Sequence, residues 1–219
     1  SVSKTRNMDT GFEMASVFTT RVGFPSAYTD TVAQRLFFEQ LAERVAALPG
    51  VQAATVASGL PGAQQGLNGD RFSLESATYA TDQDRPRTRW VSVTPGFFRT
   101  LDIPLKQGRL FESSDRLGAL PVAVVTERFV EQHLGGGDAL GKRFRLGGAE
   151  STEPWVTIVG VVPNVFGGDP QEAFPAVAFR PFEQAHANFA YIVARTVGGT
   201  SPMVLADPVR GVVASLNAD

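Results

Sequence analysis

The stretch GGGDALGKRF, residues 135–144, decides how this chain is read. Gly136, four residues, then Gly141 and Lys142 reproduce most of a phosphate-binding loop, which would make the chain a nucleotide-binding α/β protein. Such a loop also needs a Ser or Thr after the lysine to hold magnesium, a strand before it and a helix after it. Here Arg143 follows Lys142. The preceding ERFVEQHL (127–134) puts Phe129, Val130 and Leu134 on one helical face. The following KRFRLGG (142–148) alternates charged and apolar residues like a half-buried strand. The order is helix, glycine turn, strand, the reverse of a phosphate cradle. The glycines therefore read as a helix C-cap and a tight turn.

Outward from this turn, strands and helices alternate. MASVFTTRVGF (14–24) is β-branched and aromatic and reads as a strand. TDTVAQRLFFEQLAERVAAL (29–48) is the clearest helix, with Val32, Leu36, Phe37, Leu41, Val45 and Leu48 as its apolar stripe. Thr29 or Asp30 caps its start, and Pro49-Gly50 stops it. VQAATVASGL (51–60) completes a βαβ-like unit. Further strands are expected at 71–76, 87–94, 121–126, 142–147, 154–166, 176–182 and 189–197. A short helix is expected at 95–102 and a longer one at 201–216, with Pro208 marking an early turn or kink.

The 219 residues suffice for one large domain or two small ones. A chain 43% hydrophobic and 19% charged is globular rather than disordered. A net charge of −2 with scattered Lys and Arg gives nucleic acid no basic face. The absence of cysteine excludes disulfides, thiolate metal sites and cysteine nucleophiles. No apolar run approaches a membrane span, and the polar start lacks a signal-peptide pattern.

Five blocks, in order, carry a family resemblance: NMDTGFEMASVFTTRVGFP (7–25), LAERVAALPGVQAATVASGLPG (41–62), VSVTPGFFRTLDIPLKQGRLFESSDR (91–116), VAVVTERFVEQHLGGGDALGKRFRL (122–146) and WVTIVGVVPNVF (155–166). Together they resemble the MacB-type periplasmic core domain of ABC-transporter permeases over nearly the whole chain. In that family a turn like that at Asp138, Gly141, Lys142 and Arg143 stands in the same place, with no nucleotide.

The resemblance implies an α+β fold of two lobes. A porter-like, βαβ-containing lobe is built from both chain ends (1–94 plus 171–219), and a smaller mixed lobe, Sabre-like, is inserted at 95–170. It implies a place between the first two membrane helices of a permease, facing the periplasm. Residues 1–9 are then expected to continue a membrane helix, with an extended segment beyond the last helix. It implies coupling to a cytoplasmic ABC ATPase, with a second permease copy or a periplasmic adaptor as further partners, and no cofactor. Candidate partner contacts are Gly66 and Asn68 in the glycine-rich loop 61–70, and Gly167, Gly168 and Asp169 in the turn of the tip 164–172. The alternatives are a stand-alone periplasmic ligand-binding protein or a soluble hydrolase or nucleotide-binding enzyme.

No residue set forms a catalytic constellation. His133 lies near a helix C-terminus, where a cation suits the dipole, and is expected at the surface. His186 reads as a loop residue, and ESSD (112–115), too short to cage calcium, as a solvated turn. Ser58 lacks a nucleophile elbow. Phe97 and Phe98 are expected in core or hinge packing. Of the adjacent Phe37 and Phe38, one is expected to point away from the stripe, covering a lobe contact or meeting a partner. ATP with magnesium is expected to leave the melting temperature unchanged; a clear rise would restore the phosphate-loop reading.

Overall fold

The computed structural model describes residues 16–24, 30–60, 69–165, 176–185 and 188–216. The elements are β1 (Val17–Gly23), α1 (Thr31–Ala46), β2 (Val51–Ala57), β3 (Asp70–Leu74), β4 (Arg87–Val93), α2 (Phe97–Thr100), β5 (Gln107–Gly108), β6 (Val122–Thr126), α3 (Glu127–Leu134), β7 (Arg143–Leu146), β8 (Val156–Val162), β9 (Val177–Pro181), β10 (Phe189–Thr196) and α4 (Ala206–Leu216). The class is α+β.

The opening turn is what its sequence order requires. α3 ends at Gly135 in the left-handed conformation (φ 67°), and the N–H groups of Gly135 and Gly136 both donate to Val130 O. Gly141 (φ 78°) then donates to Ile158 O as the chain enters β7. No strand precedes these glycines to aim them at a phosphate.

Strand pairing has two parts. β10 lies between β1 and β2, antiparallel to both. Its residues alternate: Ile192 and Ala194 face α1 and α4, whereas Val193 faces α2. On the helical side the core joins Phe38, Leu41 and Val45 of α1 to Leu205 and Val209. Asp30 Oδ1 caps α1 by accepting from Val32 N (3.1 Å) and Ala33 N (2.9 Å). A 3₁₀ turn at 202–205 precedes α4, so Pro208 sits in the first turn of α4 rather than at a kink inside a longer helix.

The second part closes on itself. β4 pairs with β3, then the path runs through β7, β8, β6 and β9, and β9 returns parallel to β4. Each of these six strands contributes to one apolar cluster: Phe72, Trp90, Ala123, Phe144, Ile158 and Ala178. A set reached from every strand is the interior of the circuit. Small alanines on β6 and β9 leave room for the rings of Phe72, Trp90 and Phe144. α3 packs Phe129 against it, 5.3 Å from Phe72. Closure removes the exposed edges an open sheet would present.

Two glycines permit the crossing of β5 over β8. Gly108 (φ 73°) pairs with Gly160; a Cβ on Gly108 would lie 2.1 Å from Val159 O, and one on Gly160 2.1 Å from Arg109 O. Neither backbone can yield without breaking the β5–β8 pair. Gly160→Ala is expected to cost about 3 kcal/mol in urea denaturation. Gly118→Ala, at φ 85° in open space, is expected to cost about 1 kcal/mol. Equal costs would contradict the close approach.

Candidate functional site: the joint between the two strand groups

The candidate contact residues Gly66, Asn68, Gly167, Gly168 and Asp169, and also His186, lie outside the described residues. What the structure does show is how the three-stranded layer is fixed to the closed circuit.

β4 belongs to both. Val93 pairs with Ala57 of β2 on one edge and with Pro181 of β9 on the other. Just beyond, Thr94 Oγ1 lies 2.6 Å from Thr55 Oγ1 and accepts from Val56 N at 3.0 Å, while Thr94 N donates to Val56 O. Ser58 is absorbed into the same seam: its N–H donates to Ser92 O, and its Oγ accepts from Ser92 N, both at 2.8 Å.

α2 fills the space beneath. Phe97 and Phe98 are both fully buried, between β4, β9 and the underside of β10. The helix ends in a reciprocal cap: Ile103 N donates to Phe98 O (2.8 Å) and Asp102 N to Arg99 O (3.2 Å). This requires Asp102 at φ 53°, the left-handed region that Asp tolerates better than most residues.

Arg195 of β10, itself buried, pins that cap. Its Nε donates to Thr100 O at 2.7 Å and its Nη1 to Ser16 Oγ at 3.1 Å. Nη2 stands 2.9 Å from Asp102 Oδ2, an ion pair whose oxygen lies off the N–H direction, so that nitrogen makes no hydrogen bond. One guanidinium thus satisfies an orphan helix-end carbonyl across the joint.

β9 supplies another tie. Past Pro181 the chain turns through 182–184 and delivers Phe182 into the helical core, 5.5 Å from Phe38 in an edge-to-face contact. This corrects the expectation for the paired phenylalanines of α1. Phe37 and Phe38 are both buried, because Phe24 and Phe182 close over them. The buried face of α1 is rotated accordingly: Gln34 is inside, whereas Val32 and Leu36 are 53% and 47% exposed.

Other singled-out residues prove structural. His133 is half-buried at 5.0 Å from both the Phe72 and Phe129 rings. Burial lowers its pKa, outweighing a hydrogen bond with the Arg87 backbone. The helix-end cation expected from sequence is thus disfavoured by desolvation. Asp115, expected in a solvated turn, is buried. It accepts from Arg109 Nη1 (2.7 Å) and Nη2 (2.9 Å) and from Glu112 N (2.9 Å). Burial pushes its carboxyl up, but the Arg109 and Glu112 hydrogen bonds outweigh that and hold it below its usual range. Beside it a groove of about 340 Å³ between α1 and residues 112–115 is lined by Glu39, Glu43, Glu112 and Glu183. Burial, with the nearby charge of Glu183, raises the Glu39 pKa. Among the described residues no group of three or more acidic and histidine side chains is placed to hold a metal ion. Nor is any helix among them long and apolar enough to cross a membrane.

Residues 2–211 match the family model of the MacB-like periplasmic core domain. The fold is similar to the periplasmic region of MacB from Actinobacillus actinomycetemcomitans, with 12% identity, 95% of this chain and 87% of that chain covered, and a TM-score of 0.63. It is also similar to the extracellular domain of the noncanonic ABC-type transporter YknZ from Gram-positive bacteria, with 14% identity, 91% of each chain covered and a TM-score of 0.57. No curated protein matches the chain. The chain belongs to the MacB-like periplasmic core domain family, and is a periplasmic domain of the kind carried by ABC-type permeases.

Arg195→Met is expected to cost about 2–3 kcal/mol in urea denaturation, since it strips a charged donor from a buried carbonyl. Asp102→Asn is expected to cost no more than about 1 kcal/mol, because the Asp102 side chain is 68% exposed. The reverse ranking would show that the ion pair, not the carbonyl contact, fixes the joint.

Proposed function

We propose that this domain is a mechanical relay. It transmits motion driven by a cytoplasmic ABC ATPase to the periplasmic side of its permease, for export or other work across the membrane, and performs no catalysis itself. The observation that supports this reading is the joint. Of the described elements nearest the two ends of the sequence, β1 is the edge strand of the three-stranded layer and α4 packs on that layer. That layer is tied to the closed circuit by β4, by Phe97 and Phe98, by Arg195 and by Phe182. A displacement entering at β1 or α4 therefore reaches the circuit as rigid-body movement.

The division into two lobes is part of this proposal. The porter-like lobe is 1–94 plus 171–219 and the inserted lobe 95–170, with β3, β4 and β9 pairing into the circuit from outside the inserted segment. Contacts to a second permease copy or to a periplasmic adaptor are proposed at Gly66 and Asn68 and at Gly167, Gly168 and Asp169. Leu60 and Val165, the last described residues before these stretches, are buried.

This domain has no cysteine, so paired labels can be placed in it once cysteines elsewhere in the permease and its ATPase are replaced. Spin labels at Leu36→Cys and Leu120→Cys, both exposed, are to be followed in the whole permease with its ATPase. Between nucleotide-free and trapped-nucleotide states the distance within one copy is expected to stay fixed, while the same labels change distance between copies or relative to the membrane. A changed intramolecular distance would contradict the rigid relay. No change anywhere would contradict the coupling.

A further inference from the structure

The circuit carries a charged group that the relay does not use. Arg180 of β9 is largely withdrawn from water, and burial lowers its pKa, with only the more distant Glu153 and Asp70 acting in the opposite sense. Its guanidinium forms no ion pair with any described residue. Among the described residues its one hydrogen bond runs from Nε to Ser92 Oγ at 3.0 Å. The group is held in place from one side, 5.5 Å from the centre of the Trp90 ring, whose buried indole N–H has no acceptor among the described residues. The terminal nitrogens of Arg180 make no hydrogen bond to a described residue and face the cleft, where a partly desolvated cation favours an anion.

Two cavities meet at this side chain. One, of about 190 Å³, is walled by Trp90, Leu117, Pro121, Pro154 and Val156, with Arg180, Gln184 and Glu153 as its polar groups. The other, of about 450 Å³, shares Arg180, Gln184 and the exposed Glu153 and includes Arg71 and Asp70. Gln184 stiffens the rim: its side-chain N–H groups donate to Arg116 O and Leu120 O, and its Oε1 accepts from Val122 N. The rim loop holds Leu117 with 59% of its surface in water. An apolar wall ending in a fixed, forked cation suits a ligand with a carboxylate head and an apolar body.

We infer that the cleft beside Arg180 binds a small apolar carboxylate, its head on the free edge of the Arg180 guanidinium and its body between Trp90, Leu117 and Pro154. A free organic acid and the C-terminus of an apolar polypeptide share this chemistry. The site does not depend on the relay reading and can fail without it.

The test follows the two indole N–H resonances, of Trp90 and Trp155, in the intact chain by nitrogen–proton correlation spectra. The probes are phenylacetate, its neutral amide, and acetyl-Ala-Phe with a free or amidated C-terminus. Trp155 lines neither cavity and serves as the internal control. The Trp90 resonance is expected to shift saturably with an acid and not with its amide. Saturation by phenylacetate means a free acid suffices. Saturation by the free peptide alone means the ligand is a polypeptide C-terminus.

Arg180→Met is expected to weaken binding about thirtyfold or more. Arg180→Lys, which keeps the charge but loses the fork, is expected to weaken it less. If Arg180→Met does not fold, Leu117→Asp on the exposed rim serves in its place and is expected to abolish saturation. The inference is overturned if no acid saturates the Trp90 shift, if acid and amide act equally, or if the substituted proteins bind as the parent does.

Discussion

β4 must satisfy partners along both edges, and the arrangement of the rest follows from that. Along one edge it begins on β3 at Arg87 and Thr88 and ends on β2 at Val93; along the other it runs parallel to β9 from Arg89 to Val93. β4 is also covered on both faces, with Val91 and Val93 in one apolar cluster and Trp90 against another. Closing the circuit through β9 fixes where Pro181 ends that strand, and so where Phe182 can enter the helical core. Proline at this end removes a donor that the ladder no longer needs.

Packing then explains the polar groups at the joint. Thr55, Ser92, Thr100 and Arg195 are all buried where apolar layers meet. Leaving such groups unpaired would cost more than pairing them gains. Thr55 is answered by Thr94, Arg195 by Thr100 O and Ser16, and Ser92 by Ser58 and Arg180. These bonds are directional, whereas Phe97, Phe98 and Phe179 supply area without direction. The phenylalanines hold the layers together, and the polar contacts set their register.

Local signals in the sequence were the legible ones. Asp30 and the Pro49-Gly50 pair bracket α1 because capping and chain termination are decided within a turn. The helix–glycine–strand order around residues 135–144 was readable for the same reason, and it disposed of the phosphate loop. The apolar stripe on α1 was placed about one position off. Phe38 is covered by Phe24 and Phe182, and no helical period reports what covers it. His133 and Asp115 read as surface groups because single polar residues in short polar runs usually are; Phe72, Phe129 and Arg109 make them otherwise. Arg195 and Asp102 carry no local signal, since the two partners lie far apart in the sequence. The parallel pairing of β4 with β9 left no trace in either strand, each being merely short and apolar. The two-residue β5 has no sequence signal beyond Gly108. Family resemblance supplied the fold class that periodicity alone could not.

The central claim is that the helical layer and the closed circuit form one cooperative body. Native-state hydrogen exchange tests it directly, by comparing amides of β10 at Ile192 and Val193 with amides of β8 at Ile158 and Val161. The account predicts the same opening free energy for both groups and the same dependence on denaturant, because neither part opens without breaking β4. If β10 exchanges through a cheaper opening while β8 stays protected, the two parts are independently stable, and the joint does not hold them as one.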